Sequence, residues 1–139
     1  MVKTRKRVLL DTNVFLWIFL DPRRVPPGVK SFLRDPERKV FLSYASSLEI
    51  AIKFSIKRLA LPEAPSDFVR NRVERAGWMH LPVELDHVFE AGRLPFVHKD
   101  PFDRLILAQA RREDLTVISS NRKFKKYKAD VLSFADLRK

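Results

Sequence analysis

Asp11, Glu49, Asp100 and Asp103 are the residues on which a reading of this 139-residue chain for chemistry begins. Asp11 follows Leu9-Leu10 directly and opens Asp11-Thr12-Asn13. In an open parallel sheet, ligands bind beyond the carboxyl ends of the strands, so an acid placed there either faces a shared crevice or caps the next helix. Glu49 stands among apolar neighbours in Ser47-Leu48-Glu49-Ile50-Ala51-Ile52-Lys53. It either pairs with Lys53 one turn on, an exchange worth about 0.2–0.5 kcal/mol on a helix surface, or is partly buried for a purpose. In His98-Lys99-Asp100-Pro101-Phe102-Asp103, Asp100 suits an N-cap with Pro101 at the first helical position, which accounts for Asp100 without chemistry. Asp103 lies one turn further on, where it can accept the same capping bonds or reach a metal.

Several carboxylates gathered at one point repel one another unless a divalent cation neutralises them. Mg2+ suits that demand, with Mn2+ as the alternative: it takes oxygen ligands, keeps several waters and bridges carboxylates to phosphate. It would activate a water and stabilise charge on a phosphodiester as the bond breaks. With no cysteine in the chain, a metal must rely on oxygen or on the three histidines. His80, His87 and His98 are not spaced like a zinc cluster and are assigned to no metal.

The elements that must position these groups follow from periodicity and breakers. Arg7–Leu10 reads as a strand and residues 14–20 as a helix stopped by Asp21-Pro22; a short helix covers 29–33. Lys39–Ser43 is a second strand, and Ser46 or Ser47 can cap the helix that carries Glu49 in its first turn. Residues 66–75 suggest an exposed basic helix ending near Gly77, with a strand over 78–81 and a helix over 84–93. The Asp103 segment then runs into a buried helix, followed by strands at 115–119 and 129–132. Strands alternating with helices imply a single α/β domain spanning 1–139, a three-layer sandwich whose central parallel sheet of four or five strands is flanked by helices. Only the first few residues and 135–139 are expected to fray.

A net charge of +11 and a pI near 10.3 favour a polyanionic partner, RNA or DNA, although a basic surface can also serve solubility. Lys53, Lys57, Arg58, Arg104 and the basic run 122–128 are the candidate phosphate contacts, with Phe124 and Tyr127 either stacking on bases or packing inward. The basic start lacks the apolar core of a secretory signal, and no apolar stretch reaches membrane-spanning length. The cytoplasm is the expected compartment.

Taken together, these residues resemble the PIN-domain ribonucleases, and more narrowly the VapC-like toxins of type II toxin–antitoxin pairs. Leu9-Leu10-Asp11-Thr12-Asn13 is similar to that family's first motif, the segment 46–53 to its glutamate helix, and 100–110 to its third acidic segment. Leu59-Ala60-Leu61-Pro62 and Leu94-Pro95-Phe96-Val97-His98 are similar to its connecting segments. The likeness runs over about residues 8–132.

It implies a Mg2+-dependent endoribonuclease, a homodimer, held inactive by a small antitoxin. Asp11 and Asp103 become the principal metal ligands, and Glu49 completes the acidic site and orients the attacking water. Asp100 and Ser119 stand in support, and Lys53, Arg104 and Arg122 face RNA. The family usually has a further aspartate after the fourth strand, where this chain has Ile118-Ser119-Ser120-Asn121. Asn121 keeps a carbonyl oxygen but removes a negative charge, so a degenerate module that binds RNA or protein without cutting is the second reading. Phosphoryl transfer on another α/β scaffold is the third, weakened because Asp11-Thr12-Asn13 lacks the second acid of an Asp-x-Asp motif.

Overall fold

The structure, a computed structural model, describes residues 5–138. Its centre is a five-stranded, wholly parallel sheet made of β1 (Arg7–Leu10), β2 (Lys39–Ser43), β3 (Met79–Leu81), β4 (Thr116–Ser119) and β5 (Val131–Ser133), in the order β3-β2-β1-β4-β5. Six α-helices intervene: α1 (Thr12–Leu20), α2 (Pro27–Arg34), α3 (Tyr44–Ser55), α4 (Pro65–Ala76), α5 (Leu85–Arg93) and α6 (Pro101–Glu113).

Alternation along the strands explains the three layers. Val8 and Leu10 of β1, Val40 and Leu42 of β2, Ile118 of β4 and Leu132 of β5 share one core with Val14 and Phe15 of α1, Val29 of α2, Ile50 of α3 and Phe68 of α4. Their neighbours Leu9, Phe41, Val117 and Val131 face the other core, with Ala91 of α5, Ile106 and Leu107 of α6, and Phe124. Side chains in a strand alternate faces, so a sheet covered on both sides is apolar throughout. Val117 and Ile118 of β4 accordingly enter opposite cores. Trp78 falls just outside β3 and packs on Phe15 and Phe19.

The chain runs outward from β1 through β2 to β3 and then crosses to β4 on the opposite side of β1. Between the carboxyl ends of β1 and β4 the direction of winding reverses, and such a switch point opens a crevice.

Two expectations are corrected. The helix bearing Glu49 is capped by Ser43, not by Ser46 or Ser47, because β2 runs straight into α3 with no loop; Glu49 therefore lies in the second turn. Residues 134–137 form a turn rather than a frayed tail, with Asp136 Oδ2 accepting from Ser133 N at 2.8 Å and pairing with Lys125 Nζ at 2.5 Å. The remaining expected loose ends, residues 1–4 and 139, lie outside the described residues.

Ser43 Oγ is fully buried, accepts from Ala45 N at 2.9 Å and donates to Gln109 Oε1 at 2.5 Å, tying β2 and α3 to α6. Ser43→Ala removes a cap and strands a buried amide oxygen, so it is expected to cost about 2–4 kcal/mol in urea denaturation. A loss under about 0.5 kcal/mol, the range of an inert surface change, would show that the bond to Gln109 adds nothing.

Candidate active site

Asp11 occupies the N-cap position of α1, at the switch point, yet its side chain makes no capping hydrogen bond. It lies near enough to Thr12 N–H to feel that dipole, but its Oδ2 accepts from Ser119 Oγ at 2.9 Å, across the crevice at the end of β4. Capping alone therefore does not explain Asp11. Ser119 in turn accepts from Asn121 N at 2.9 Å, so one buried hydroxyl joins the strand end to the carboxylate.

Asp11 is only 4% exposed, and burial is the main reason its carboxyl is pushed up to about 7. The charge of Asp103 pushes in the same direction and that of Glu49 adds a smaller contribution, while the bond from Ser119 partly offsets them. Asp103 is raised to about 6, again chiefly by desolvation, with Asp100 and Glu49 adding to the rise and His98 opposing it. Asp11 thus senses Asp103 and Glu49, and Asp103 senses Glu49, although they come from the β1 end, α6 and α3.

Glu49 is 5% exposed. Its Oε2 pairs with Lys53 Nζ at 2.7 Å, the helical partner anticipated from spacing. That pair satisfies only half the carboxylate: Oε1 is buried without any hydrogen-bond partner. Lys53 is held more firmly protonated, first by its bond to Glu49 and further by the charges of Asp100 and Asp103, so it leans toward the same acidic group. A buried orphan carboxylate oxygen beside two carboxyls resisting ionisation is an arrangement a divalent cation would relieve, and the all-oxygen acidic donors match such an ion. The residues present fit the group.

At the mouth of α6, Asp100 Oδ1 accepts from Phe102 N at 2.9 Å and Asp103 N at 3.2 Å, the cap expected. Asp103 contributes no cap; its Oδ2 meets His98 Nε2 at 2.5 Å. Donor atoms of His98, Asp100 and Asp103 all lie within 4.8 Å of one another. Spacing among the histidines alone leaves His98 out of any metal site. The signal that finds it is the mixed spacing His98-x-Asp100-x-x-Asp103. Sequence reading also misses Thr12 Oγ1, which donates to Ser46 Oγ at 2.8 Å and locks α1 to α3 beside the crevice.

Other expected members fall elsewhere. Asn121 Oδ1 accepts from Lys123 N at 3.0 Å, capping the short 3-10 turn Arg122–Lys126, a local bond that uses one of its two lone pairs. Arg104, expected to meet RNA, is corrected to an interior role: it is 7% exposed and donates to four backbone carbonyls. Phe124 and Tyr127 are buried and offer no stacking face, while Arg122 and its lysine neighbours are exposed.

Comparison with known proteins accords with this geometry. A family model described as PIN domain matches residues 8–130. The fold is similar to that in a VapBC2 complex from Rickettsia felis bound to a promoter DNA fragment, at TM-score 0.68 and 16% identity, covering 91% of this chain and 98% of that one. It is similar also to DNA-bound VapBC from Salmonella typhimurium, at TM-score 0.69 and 16% identity over 92% and 98% of the two chains. FitAcB from Neisseria gonorrhoeae is a third likeness, at TM-score 0.58 and 22% identity over 94% and 99%. Among curated protein sequences, none matches the chain.

Proposed function

Because this chain belongs to the PIN-domain family, we propose that it is a Mg2+-dependent endoribonuclease, acting in the cytoplasm as the toxin of a type II toxin–antitoxin pair. The whole of residues 1–139 is read as one nuclease domain. The observation that supports the reading is the mutual electrostatic reach of acids from three separate elements, with Asp103 and Glu49 acting on Asp11 and Glu49 acting on Asp103, and with Glu49 Oε1 left unpartnered.

In this reading Asp11 and Asp103 are the principal metal ligands, Glu49 completes the acidic site and Asp100 stands in reserve. A divalent cation bound there would supply Lewis-acid stabilisation of the phosphodiester and a more acidic water. The chain's own groups do the remaining work. Ser119 fixes the orientation of Asp11 through the bond to Oδ2, and Thr12 holds α3 in place so that Glu49 faces the crevice. Glu49, tethered by Lys53, orients the attacking water with its free oxygen and accepts its proton. Asn121 acts indirectly, by bonding Ser119 through its backbone N–H.

The net charge of +11 supports a polyanionic substrate, with exposed Arg122 and the half-exposed Lys53 as candidate phosphate contacts. Protein partners are supported by apolar side chains left on the surface: Tyr44, Leu48 and Ile52 on α3, and Leu85, Val88 and Phe89 on α5. These suit a homodimer and a small antitoxin, the assemblies named for the structural relatives being VapBC and FitAB complexes. No helix among the described residues is long and apolar enough to cross a membrane.

The test is cleavage of a mixed RNA panel by the purified chain. Cleavage is expected with Mg2+ or Mn2+, to vanish with EDTA and to return on readdition of the metal. A chain that takes up the metal yet cuts no RNA would instead be a binding module.

A further inference from the structure

We infer that His98 belongs to the cation site and supplies it with one imidazole nitrogen, so that the centre is a mixed nitrogen–oxygen site suited to Mn2+-type ions. This rests on the metal-dependent reading above and assigns it a further ligand. The geometry begins with the cluster itself: His98 Nε2 is 2.5 Å from Asp103 Oδ2, and donors from His98, Asp100 and Asp103 fall within 4.8 Å of one another. Opposite ligands of a six-coordinate ion at about 2.1 Å are about 4.2 Å apart and adjacent ones about 3.0 Å, so donors within 4.8 Å of one another need shift by only about 0.6 Å to share one coordination sphere. An opening of about 0.5 Å between the imidazole and Asp103 would suffice to admit the ion.

A second, independent observation points the same way. Glu49, nine-tenths buried and electrostatically coupled to Asp103, keeps Oε1 without a partner. A buried carboxylate oxygen without a donor is one that a cation would stabilise.

His98 is also built into place rather than draped there. Its backbone N–H donates to Tyr127 Oη at 2.7 Å, and its carbonyl accepts from Arg104 Nη1 at 3.1 Å. Its ring rests tilted against the buried Phe124, with centroids 6.1 Å apart. Tyr127 and Arg104 therefore hold the backbone of His98, and Phe124 backs the ring whose nitrogen meets Asp103. A ligand held by surrounding bonds loses little freedom on binding.

Adding imidazole to carboxylates favours transition ions over Mg2+, which prefers oxygen. His98→Gln should therefore weaken Mn2+ binding by roughly 10–100-fold while changing Mg2+ binding much less. The deciding readout is the pulsed electron spin-echo modulation of Mn2+ bound to the full chain, which detects a coordinated imidazole nitrogen without any turnover. The expected result is nitrogen modulation that changes when histidine is labelled with 15N and disappears in His98→Gln, with circular dichroism confirming that the variant is folded. Should that variant unfold, the labelled wild-type chain still answers whether a histidine is bound.

Mn2+ bound without histidine modulation, or with modulation that survives in His98→Gln, overturns this inference and leaves the acidic metal site standing. Failure to bind Mn2+ or Mg2+ at all would overturn both.

Discussion

Asp11→Asn is expected to abolish metal-dependent cleavage and, at the same time, to make the metal-free protein more stable at neutral pH. The substitution keeps the shape of the side chain and leaves Ser119 a partner, but removes the charge that would hold the ion. Loss of electrostatic stabilisation at a preorganised site costs on the order of 10²–10³-fold in rate, and the loss of a principal ligand should reach at least that. The stability effect runs the other way because Asp11 is a carboxyl the fold resists ionising, raised from 3.8 to about 7 by burial and by its acidic neighbours.

The folded chain thus holds this proton more tightly than the unfolded chain does. The stability it contributes is complete below pH 3.8 and is lost as pH rises toward about 7, because the unfolded state ionises first. Asp103, raised to about 6, acts in the same sense. In EDTA, wild type should lose a few kcal/mol from these groups between pH 4 and 8, on the order of 1.4 kcal/mol for every tenfold by which folding tightens the hold on a proton. Asp11→Asn should flatten that slope and melt above wild type at pH 8. Saturating Mg2+ should restore the wild type's advantage, since binding to the folded state alone stabilises it. A variant that melts below wild type at pH 8 in EDTA would falsify the picture of a strained, cation-seeking carboxylate.

The difference between what could and could not be read from sequence lies in how local each cause is. Strand ends, the Asp100-Pro101 cap and the left-handed Gly77 closing α4 depend on residues next to one another, so they were legible to within a residue or two. Asp11, Glu49 and Asp103 were legible as candidates because each stands in a pattern that local structure alone underexplains. What was not legible depends on pairs far apart in the chain. The bond from Ser119 to Asp11 spans 108 positions and that from Ser43 to Gln109 spans 66; neither has a local signature.

The charged residues mislead for the same reason. Lys53, Arg104 and Arg122 look alike in a basic sequence, but one pairs with Glu49, one is interior and one is exposed. Asn121 illustrates the opposite case, a residue singled out for the position it fills whose oxygen caps the next turn and keeps a second lone pair. Which cations reach solvent is decided by tertiary packing, which composition does not record.

Arg104→Met should destabilise the protein by about 3–5 kcal/mol, the largest effect on folding expected of a single basic residue here. The guanidinium is 7% exposed, with Nη2 donating to Ala91 O and Leu94 O at 2.7 Å each. Nη1 reaches Pro95 O at 2.9 Å and His98 O at 3.1 Å, and the cation lies 4.7 Å from the centre of the Phe96 ring. Ala91 is in the last turn of α5 and Leu94 is its C-cap, so the cation sits where carbonyls lack helical partners and the helix dipole favours positive charge. Methionine fills much of the volume but bonds to none of these oxygens. Arg104→Lys should recover only part of the loss, because an ammonium cannot reproduce the planar fork. Urea denaturation of the metal-free chain decides the matter. An Arg104→Met protein as stable as wild type, but weakened toward RNA, would return this residue to the surface role its sequence suggests. Equal loss of stability with and without RNA, together with a disordered 94–98 segment in hydrogen exchange, is the outcome the packing requires.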